Sequence, residues 1–317
     1  MIQGLAKSLI AQAVEDKAQD IYIIPRKDDY DVFMRIGDDR RFIQTYDFKQ
    51  MTSLISHFKF VAGMTVGEKR RSQLGSCDYD FGGETLVSLR LSTVGDYRGH
   101  ESLVIRLLHD GRYDLHYWFN GMRHIREAIG SRGLYLFSGP TGSGKTTLMY
   151  QLIKEKFKDK QVISIEDPVE IKDDTILQLQ LNKEIDMTYE SLIKLSLRHR
   201  PDVLVIGEIR DSQTARAAIR ASLTGATVFS TIHAKSISGV YSRLLELGVS
   251  ETELQTSLAG ICYQRLIGGG GLIDVAKDNF KQHVSKKWNQ QLEALFKAGH
   301  LTKEQVQTES IIDSKAS

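Results

Sequence analysis

Residues 139–147 read Gly-Pro-Thr-Gly-Ser-Gly-Lys-Thr-Thr, which fits the pattern G-x-x-x-x-G-K-[ST]. The apolar run Leu-Tyr-Leu-Phe-Ser enters this stretch, and Lys-Thr-Thr-Leu-Met-Tyr-Gln-Leu-Ile leaves it with a helical pattern. Strand, glycine-rich loop and helix in that order severely limit the fold. The glycines permit positive φ and let backbone N–H groups approach phosphate oxygens, while the following helix aims its N-terminal dipole at the same point. Gly139, Pro140, Thr141, Gly142, Ser143, Gly144, Lys145, Thr146 and Thr147 are therefore the expected phosphate-binding residues. Lys145 is expected to reach the β- and γ-phosphates, and the Thr146 hydroxyl to join a Mg²⁺ shell.

Around that loop, helical and apolar segments alternate: GLYLFSG, KTTLMYQLIKEKF, QVISIED, YESLIKLSLRH, DVLVIGE, SQTARAAIRASL, TVFSTIH. The alternation predicts a parallel sheet with helices on both faces, where ligands gather at the carboxyl ends of the strands. Three such ends carry chemistry. ISIEDPVE supplies Glu166, Asp167 and Glu170, carboxylates able to position or deprotonate an attacking water. PDVLVIGEIRD ends in Gly207-Glu208, where an aspartate that holds Mg²⁺ is more usual. VFSTIHAKS ends at His233, which is either a packing residue or a group that contacts the γ-phosphate. From about residue 240 the chain reads as helical apart from GGGG at 268–271. Trp288, Leu292, Leu295 and Phe296 share one helix face, Gly299 stops that helix, and Thr302 with Gln305 has capping-box spacing for a last one.

The first 108 residues have a different rhythm. An amphipathic N-terminal helix precedes the strand DIYIIP, a second strand YDVFMRIGDD, a helix around FKQMTSLISHFKFVAG, and strands at CDYDF, TLVSLRLSTV and ESLVIRLL. Arg70, Arg71, Arg90, Arg98 and Arg106 crowd the strand ends. The chain has 317 residues, more than one core usually supports, so two domains are expected. Its 42 basic and 40 acidic side chains nearly balance, which argues against a nucleic-acid footprint. Two cysteines without a CxxC pair argue against a disulfide scaffold or a cysteine-built zinc site, and fit a reducing cytosol. No apolar run approaches the roughly 18–20 residues that span a bilayer.

GPTGSGKTT, ISIEDPVE, RPDVLVIGEIRD and SLTGATVFSTIH, in this order, strongly resemble the Walker A, Asp box, Walker B and His box of the secretion and type IV pilus ATPases. Upstream, KAQDIYIIP, VAGMTVGEKRRSQLGS and LRLSTVGDYRGHESLVIRLL are similar to further motifs of that family, so the likeness covers roughly residues 12–267. It implies a RecA-like P-loop domain of α/β class with a parallel sheet, preceded by a smaller α+β, PAS-like domain. The corresponding boundaries are 1–108 for the N-terminal domain, 109–114 for a linker, 115–275 for the ATPase domain and 276–317 for a helical C-terminal segment.

The resemblance further implies a Mg²⁺-dependent ATP hydrolase working as a homo-hexamer, with nucleotide near the interdomain cleft. By position, Arg70, Arg90 and Arg106 match arginines that close on the phosphates; the alternative for each is an ordinary interface salt bridge. Thr146 is expected to ligate Mg²⁺ directly and Glu208 through a water, its longer side chain crossing a gap left by Gly207. Glu166 is expected to orient the attacking water with Glu170 in reserve, while Arg210 and Asp211 serve local pairing.

Ser76 stands where the family pattern has an arginine. The short length, the absent four-cysteine zinc module, and the stretches LQLQLN and LRHRPD are most similar to the competence-pilus branch of Gram-positive bacteria. That likeness implies a motor that assembles a DNA-uptake pilus on the cytoplasmic face of the cell membrane. It would associate with the membrane peripherally, through an inner-membrane platform protein, and use ATP and Mg²⁺ but no zinc, without binding nucleic acid directly. A pilus-retraction ATPase and a nucleotide-regulated scaffold with incidental hydrolysis are the alternatives.

Overall fold

The computed structural model describes residues 2–36, 39–82, 86–108, 115–130, 132–182 and 185–312. The expected linker at 109–114 lies outside the described residues. The chain divides into two compact units, Met1–Asp110 and Gly111–Ser317.

The first unit runs α1 (Ile2–Glu15), β1 (Asp20–Pro25), β2 (Asp29–Ile36), β3 (Asp39–Asp47), α2 (Phe48–Val61), β4 (Gln73–Asp80), β5 (Leu86–Gly95) and β6 (Glu101–Leu108). Its six strands form one sheet in the order β3-β2-β1-β6-β5-β4. Alternate residues point to one face, where Ile21, Ile23, Val32, Met34, Leu89, Leu91, Leu103 and Ile105 meet Leu9 and Ile10 of α1 and Leu54 and Phe58 of α2. Cross-strand pairing places Arg35, Asp20, Arg106, Arg90 and Ser76 in a row across β2, β1, β6, β5 and β4. Directly opposed residues share a face, so this row lies opposite the buried apolar set. β3 is an addition to the sequence reading. It is an edge strand exposed along nearly all of its length, so it carries no apolar alternation to mark it.

The second unit runs α3 (Gly121–Ala128), β7 (Gly133–Ser138), α4 (Lys145–Lys156), β8 (Val162–Glu166), β9 (Leu177–Gln180), α5 (Tyr189–Arg198), β10 (Val203–Glu208), α6 (Ser212–Leu223), β11 (Thr227–Ile232), α7 (Ile237–Glu246), α8 (Glu251–Ser257), β12 (Leu258–Ile267), β13 (Gly270–Ala276), α9 (Lys286–Lys297) and α10 (Lys303–Glu309). The sheet order is β13-β12-β7-β11-β10-β8-β9. β8, β10, β11, β7 and β12 pair in parallel, and β13 returns antiparallel to β12. The expectation that the chain is helical from about 240 is thus corrected. Residues 258–276 form a hairpin that extends the sheet, with the glycine run as its turn. Their buried run gives no alternation, and α8 leads into β12 without a break, so a buried strand and a buried helix look alike there. β9 is likewise a short parallel strand that the sequence reading left unassigned.

The C-terminal helices follow the expected pattern except at Phe296, which is 38% exposed while the other three residues of the expected α9 face are buried. Trp288, Leu292 and Leu295 are buried, Gly299 takes φ +79° beyond α9, and Thr302 with Gln305 closes a capping box on α10.

Candidate functional site

The strand order places β11 between β7 and β10, and β8 beyond β10. The loop after β7, Glu166 at the end of β8, Glu208 at the end of β10 and His233 just past β11 therefore share the carboxyl edge of four neighbouring parallel strands. That edge is the ligand-binding edge of open parallel sheets.

Gly139 opens the loop at φ +144°, and a Cβ on it would stand 2.2 Å from the Gln264 carbonyl oxygen. Gly144, at φ +82°, caps α4, and a Cβ there would meet Gln264 Nε2 at 2.9 Å. Gln264 on β12 thus walls the loop on one side, and its amide donates to the Ser143 carbonyl at 2.7 Å. It escaped the sequence reading along with its strand. Only recognition of the hairpin would have placed it beside a loop some 120 residues earlier in the chain.

Lys145 is 8% exposed, and its ammonium donates to the Gly139 and Pro140 carbonyls at 2.9 and 2.7 Å. Burial pushes its pKa down to about 8, against the nearby charges of Glu208 and Glu170. The Ser143 hydroxyl is buried without a partner among the described residues. A buried cation resting on carbonyls, an unsatisfied hydroxyl and the N-terminus of α4 all converge in the loop. Their chemistry fits a phosphate chain.

The carboxylates divide differently from expectation. Glu166 is 4% exposed, and its Oε1 accepts from the Tyr150 hydroxyl at 2.6 Å. Burial raises its carboxyl pKa, with the Tyr150 hydrogen bond working against that rise. Glu170, four residues on and exposed, accepts instead from the Thr146 hydroxyl at 3.2 Å. Glu170, the reserve candidate, is therefore the acidic residue in contact with the loop's threonine, and Glu166 is turned onto α4. Gly207 leaves no gap for Glu208 to cross. A Cβ on it would meet the Tyr189 hydroxyl at 2.9 Å and the Glu166 Cα at 3.3 Å.

Glu208 accepts from Arg210 Nε and Nη2 at 2.7 Å each, and its other oxygen faces His233 Nε2 at 3.3 Å. Arg210 pairs locally as expected, and Asp211 caps α6 by accepting from the Thr214 amide. With one Glu208 oxygen held by Arg210 and the other facing His233, the Thr146 hydroxyl and phosphate oxygens remain as the main direct ligands for a metal. That suits Mg²⁺, which keeps several waters and needs few protein ligands. Among the described residues, no cluster of three or more His, Cys, Asp or Glu side chains is arranged to hold a metal by itself.

The three candidate arginines belong to the first unit. Arg106 pairs with the buried Asp20 at 2.8 Å, an ion pair between neighbouring strands of the first unit's own sheet. Arg90 stands beside it on β5, and Arg70 lies exposed in the segment between α2 and β4. Neither Arg70 nor Arg90 forms an ion pair among the described residues. Ser76, at the position of the expected further arginine, occupies the end of the same cross-strand row.

Comparison with known proteins places this geometry in context. The family described as Type II/IV secretion system protein matches residues 1–297. Competence protein ComGA of Streptococcus pneumoniae is 64% identical over 311 residues, which cover 98% of this chain and 99% of that one. Type II secretion system protein E of Klebsiella pneumoniae is 36% identical over 270 residues, covering 83% of this chain and 54% of that one. Among solved structures, the Legionella pneumophila ATPase DotB superposes with a TM-score of 0.73 at 18% identity, covering 95% of this chain and 93% of DotB. The pilus retraction motor PilT with bound ADP superposes with a TM-score of 0.70 at 23% identity, covering 96% of each chain. At those identities the likeness is one of fold.

Proposed function

The chain belongs to the type II/IV secretion system protein family, and from that premise we propose that it is an ATP-hydrolysing motor that assembles a competence type IV pilus. The observation that carries the reading is the convergence of the phosphate loop, the Glu166–Glu170 turn, Glu208 and His233 at one sheet edge, in a chain similar to a competence protein along nearly its whole length.

The roles follow from the side chains. Backbone N–H groups of 139–147 receive the phosphates, and Lys145 exchanges its two carbonyl acceptors for phosphate oxygens. Thr146 would hold Mg²⁺ directly and Glu208 through a water. When bound, Mg²⁺ supplies charge neutralisation on the β- and γ-oxygens. Glu166 orients the attacking water once its carboxylate is free of Tyr150, and Glu170 stands next to it in the turn. His233 reports on Glu208, the group it faces. Arg70, Arg90 and Arg106 supply positive charge to the transition state, an effect worth about 10³–10⁵ in rate where an arginine acts in this way.

We assign the domains as 1–108 and 115–275, joined by 109–114 and followed by 276–317. Motion of the first against the second is the step that turns hydrolysis into work. The working form is a homo-hexamer on the cytoplasmic face of the cell membrane. Attachment to the membrane runs through an inner-membrane platform protein; among the described residues no helix is long and apolar enough to cross a membrane.

The test is steady-state phosphate release by the purified chain with ATP and Mg²⁺. Lys145→Ala and Glu166→Gln should each abolish turnover, and Lys145→Ala should also abolish nucleotide binding. Normal rates in both variants would overturn the reading. A strain carrying Glu166→Gln that still assembles pili would favour a nucleotide-regulated scaffold.

A further inference from the structure

Among the described residues, Tyr150 makes the shortest side-chain hydrogen bond to any of the candidate catalytic carboxylates. It lies on α4, is 2% exposed, and donates to Glu166 Oε1 at 2.6 Å. Its oxygen in turn accepts from Gln178 Nε2 at 2.7 Å. Gln178 on β9 spends its other amide hydrogen on the Ile171 carbonyl at 2.7 Å, and its Oε1 accepts from the Asp173 amide at 2.9 Å. With Gln178 anchored at both ends, the tyrosine hydroxyl has one direction left for its hydrogen, towards Glu166. The result is a carboxylate held inside the protein by a charge-assisted hydrogen bond.

At 4% exposure and with Oε1 bonded to Tyr150 on α4, the Glu166 carboxylate is directed at the helix rather than presented to solvent at the strand end. We infer that Tyr150 is a positioning residue that holds the Glu166 carboxylate withdrawn, so that turnover requires its release from the tyrosine hydroxyl. This rests on the ATPase reading for its consequence in turnover, but not for the hold itself. A carboxylate deprived of its donor becomes costly to keep buried, so loss of the hydroxyl shifts Glu166 outward. The ring of a phenylalanine preserves the packing of Tyr150 against its surroundings and removes the hydroxyl, with the hydrogen bond it donates to Glu166 and the one it accepts from Gln178.

The hold is tested on the full chain without nucleotide, by carbodiimide-driven coupling of a small amine to carboxylates with peptide-level mass spectrometry. Exposed Glu170 serves as the internal reference. Glu166 should label far more slowly than Glu170 in the wild type, and Tyr150→Phe should speed its labelling roughly tenfold, the range expected for one hydrogen bond to a charged group. Gln178→Met, which removes the donor that orients the hydroxyl, should give a smaller rise of roughly threefold and serves if Tyr150→Phe does not fold.

With ATP and Mg²⁺, Tyr150→Phe should raise kcat, and the gain should vanish when combined with Glu166→Gln, as coupled residues require. Equal labelling of Glu166 in wild type and Tyr150→Phe, or a kcat that falls in the single variant, overturns the inference. Absence of Lys145-dependent turnover in the wild type would instead refute the ATPase reading, and the labelling result would still decide whether Tyr150 holds Glu166.

Discussion

Replacing Lys59 by methionine removes a charge that the first unit has buried completely. Lys59 sits in the last turn of α2 with no exposure, and its ammonium donates to Glu101 Oε1 at 2.6 Å and to the Glu68 carbonyl at 2.5 Å. Glu101, at the start of β6, is itself 6% exposed. Methionine fills similar space but leaves a carboxylate and a carbonyl without their donor. Breaking one side of a buried pair costs about 3–5 kcal/mol. Against a typical total of about 5–15 kcal/mol, that is a large share of the unit's stability. For a unit of this size it corresponds to a fall in midpoint of roughly 12 °C or more.

The assay can separate the two units, because both tryptophans, Trp118 and Trp288, lie in the second. Hydrogen exchange through a temperature series should show early opening of α2 and β6, while the tryptophan fluorescence transition moves much less. Adding Glu101→Leu to Lys59→Met should recover most of the loss, since an apolar pair of similar size commonly replaces a buried ion pair at little cost. A midpoint for α2 and β6 within about 2 °C of wild type would refute the reasoning, as would a double variant no more stable than the single one. The effect should reach activity as well. Glu68 Oε1 accepts from the Arg70 and Arg71 amides, so the lysine anchors the segment that presents Arg70.

Gly139→Ala places a methyl group 2.2 Å from the Gln264 carbonyl at φ +144°, and should weaken ATP binding roughly tenfold or more, measured with a fluorescent nucleotide. Glu166 gives a pH signature. Burial raises its folded pKa above the unfolded one, so its contribution is fully present below the ordinary carboxylate range of about 4.3 and is lost as pH rises through the folded value. Glu166→Gln has no such loss, so the stability of wild type relative to this variant should decline from pH 4 to pH 7 in urea titrations; a flat difference contradicts the assignment. The cysteines should be poor nucleophiles: burial raises the Cys262 thiol far above its usual range and pushes Cys77 to about 11, so a thiol reagent at pH 8 should label Cys77 slowly and Cys262 only on unfolding.

What could be read from the sequence follows the range of the interaction that decides each feature. The phosphate loop is encoded by glycines within six positions of one another, and its flanking strand and helix are continuous with it, so local spacing sufficed. The same holds for the α10 capping box, whose two partners are three residues apart. Gln264 matters to the loop through a contact 121 residues away in sequence, and no local pattern announces it. Lys59 in SHFKFVAG looks like a lysine on a solvated helix face, and only the fold brings Glu101 and Glu68 to it. β3 and the β12–β13 hairpin escaped for opposite reasons, one exposed along nearly its whole length and the other buried on both faces, which removes the alternation that marks a strand.

The acidic turn lies between these cases. Its carboxylates were legible at 166 and 170, but not which way each one faces, because the answer sits on another element. Thr146 and Tyr150 are one turn apart on α4 and share a helix face. The first holds Glu170 and the second holds Glu166, so two carboxylates four residues apart are gripped by two hydroxyls four residues apart. Each hydroxyl has a single hydrogen to give. A metal ion that takes a lone pair of the Thr146 oxygen does not claim that hydrogen, so the contact to Glu170 is compatible with an occupied loop. Release of Glu166 is therefore decided by its own hydrogen bond to Tyr150, separately from the Thr146–Glu170 contact.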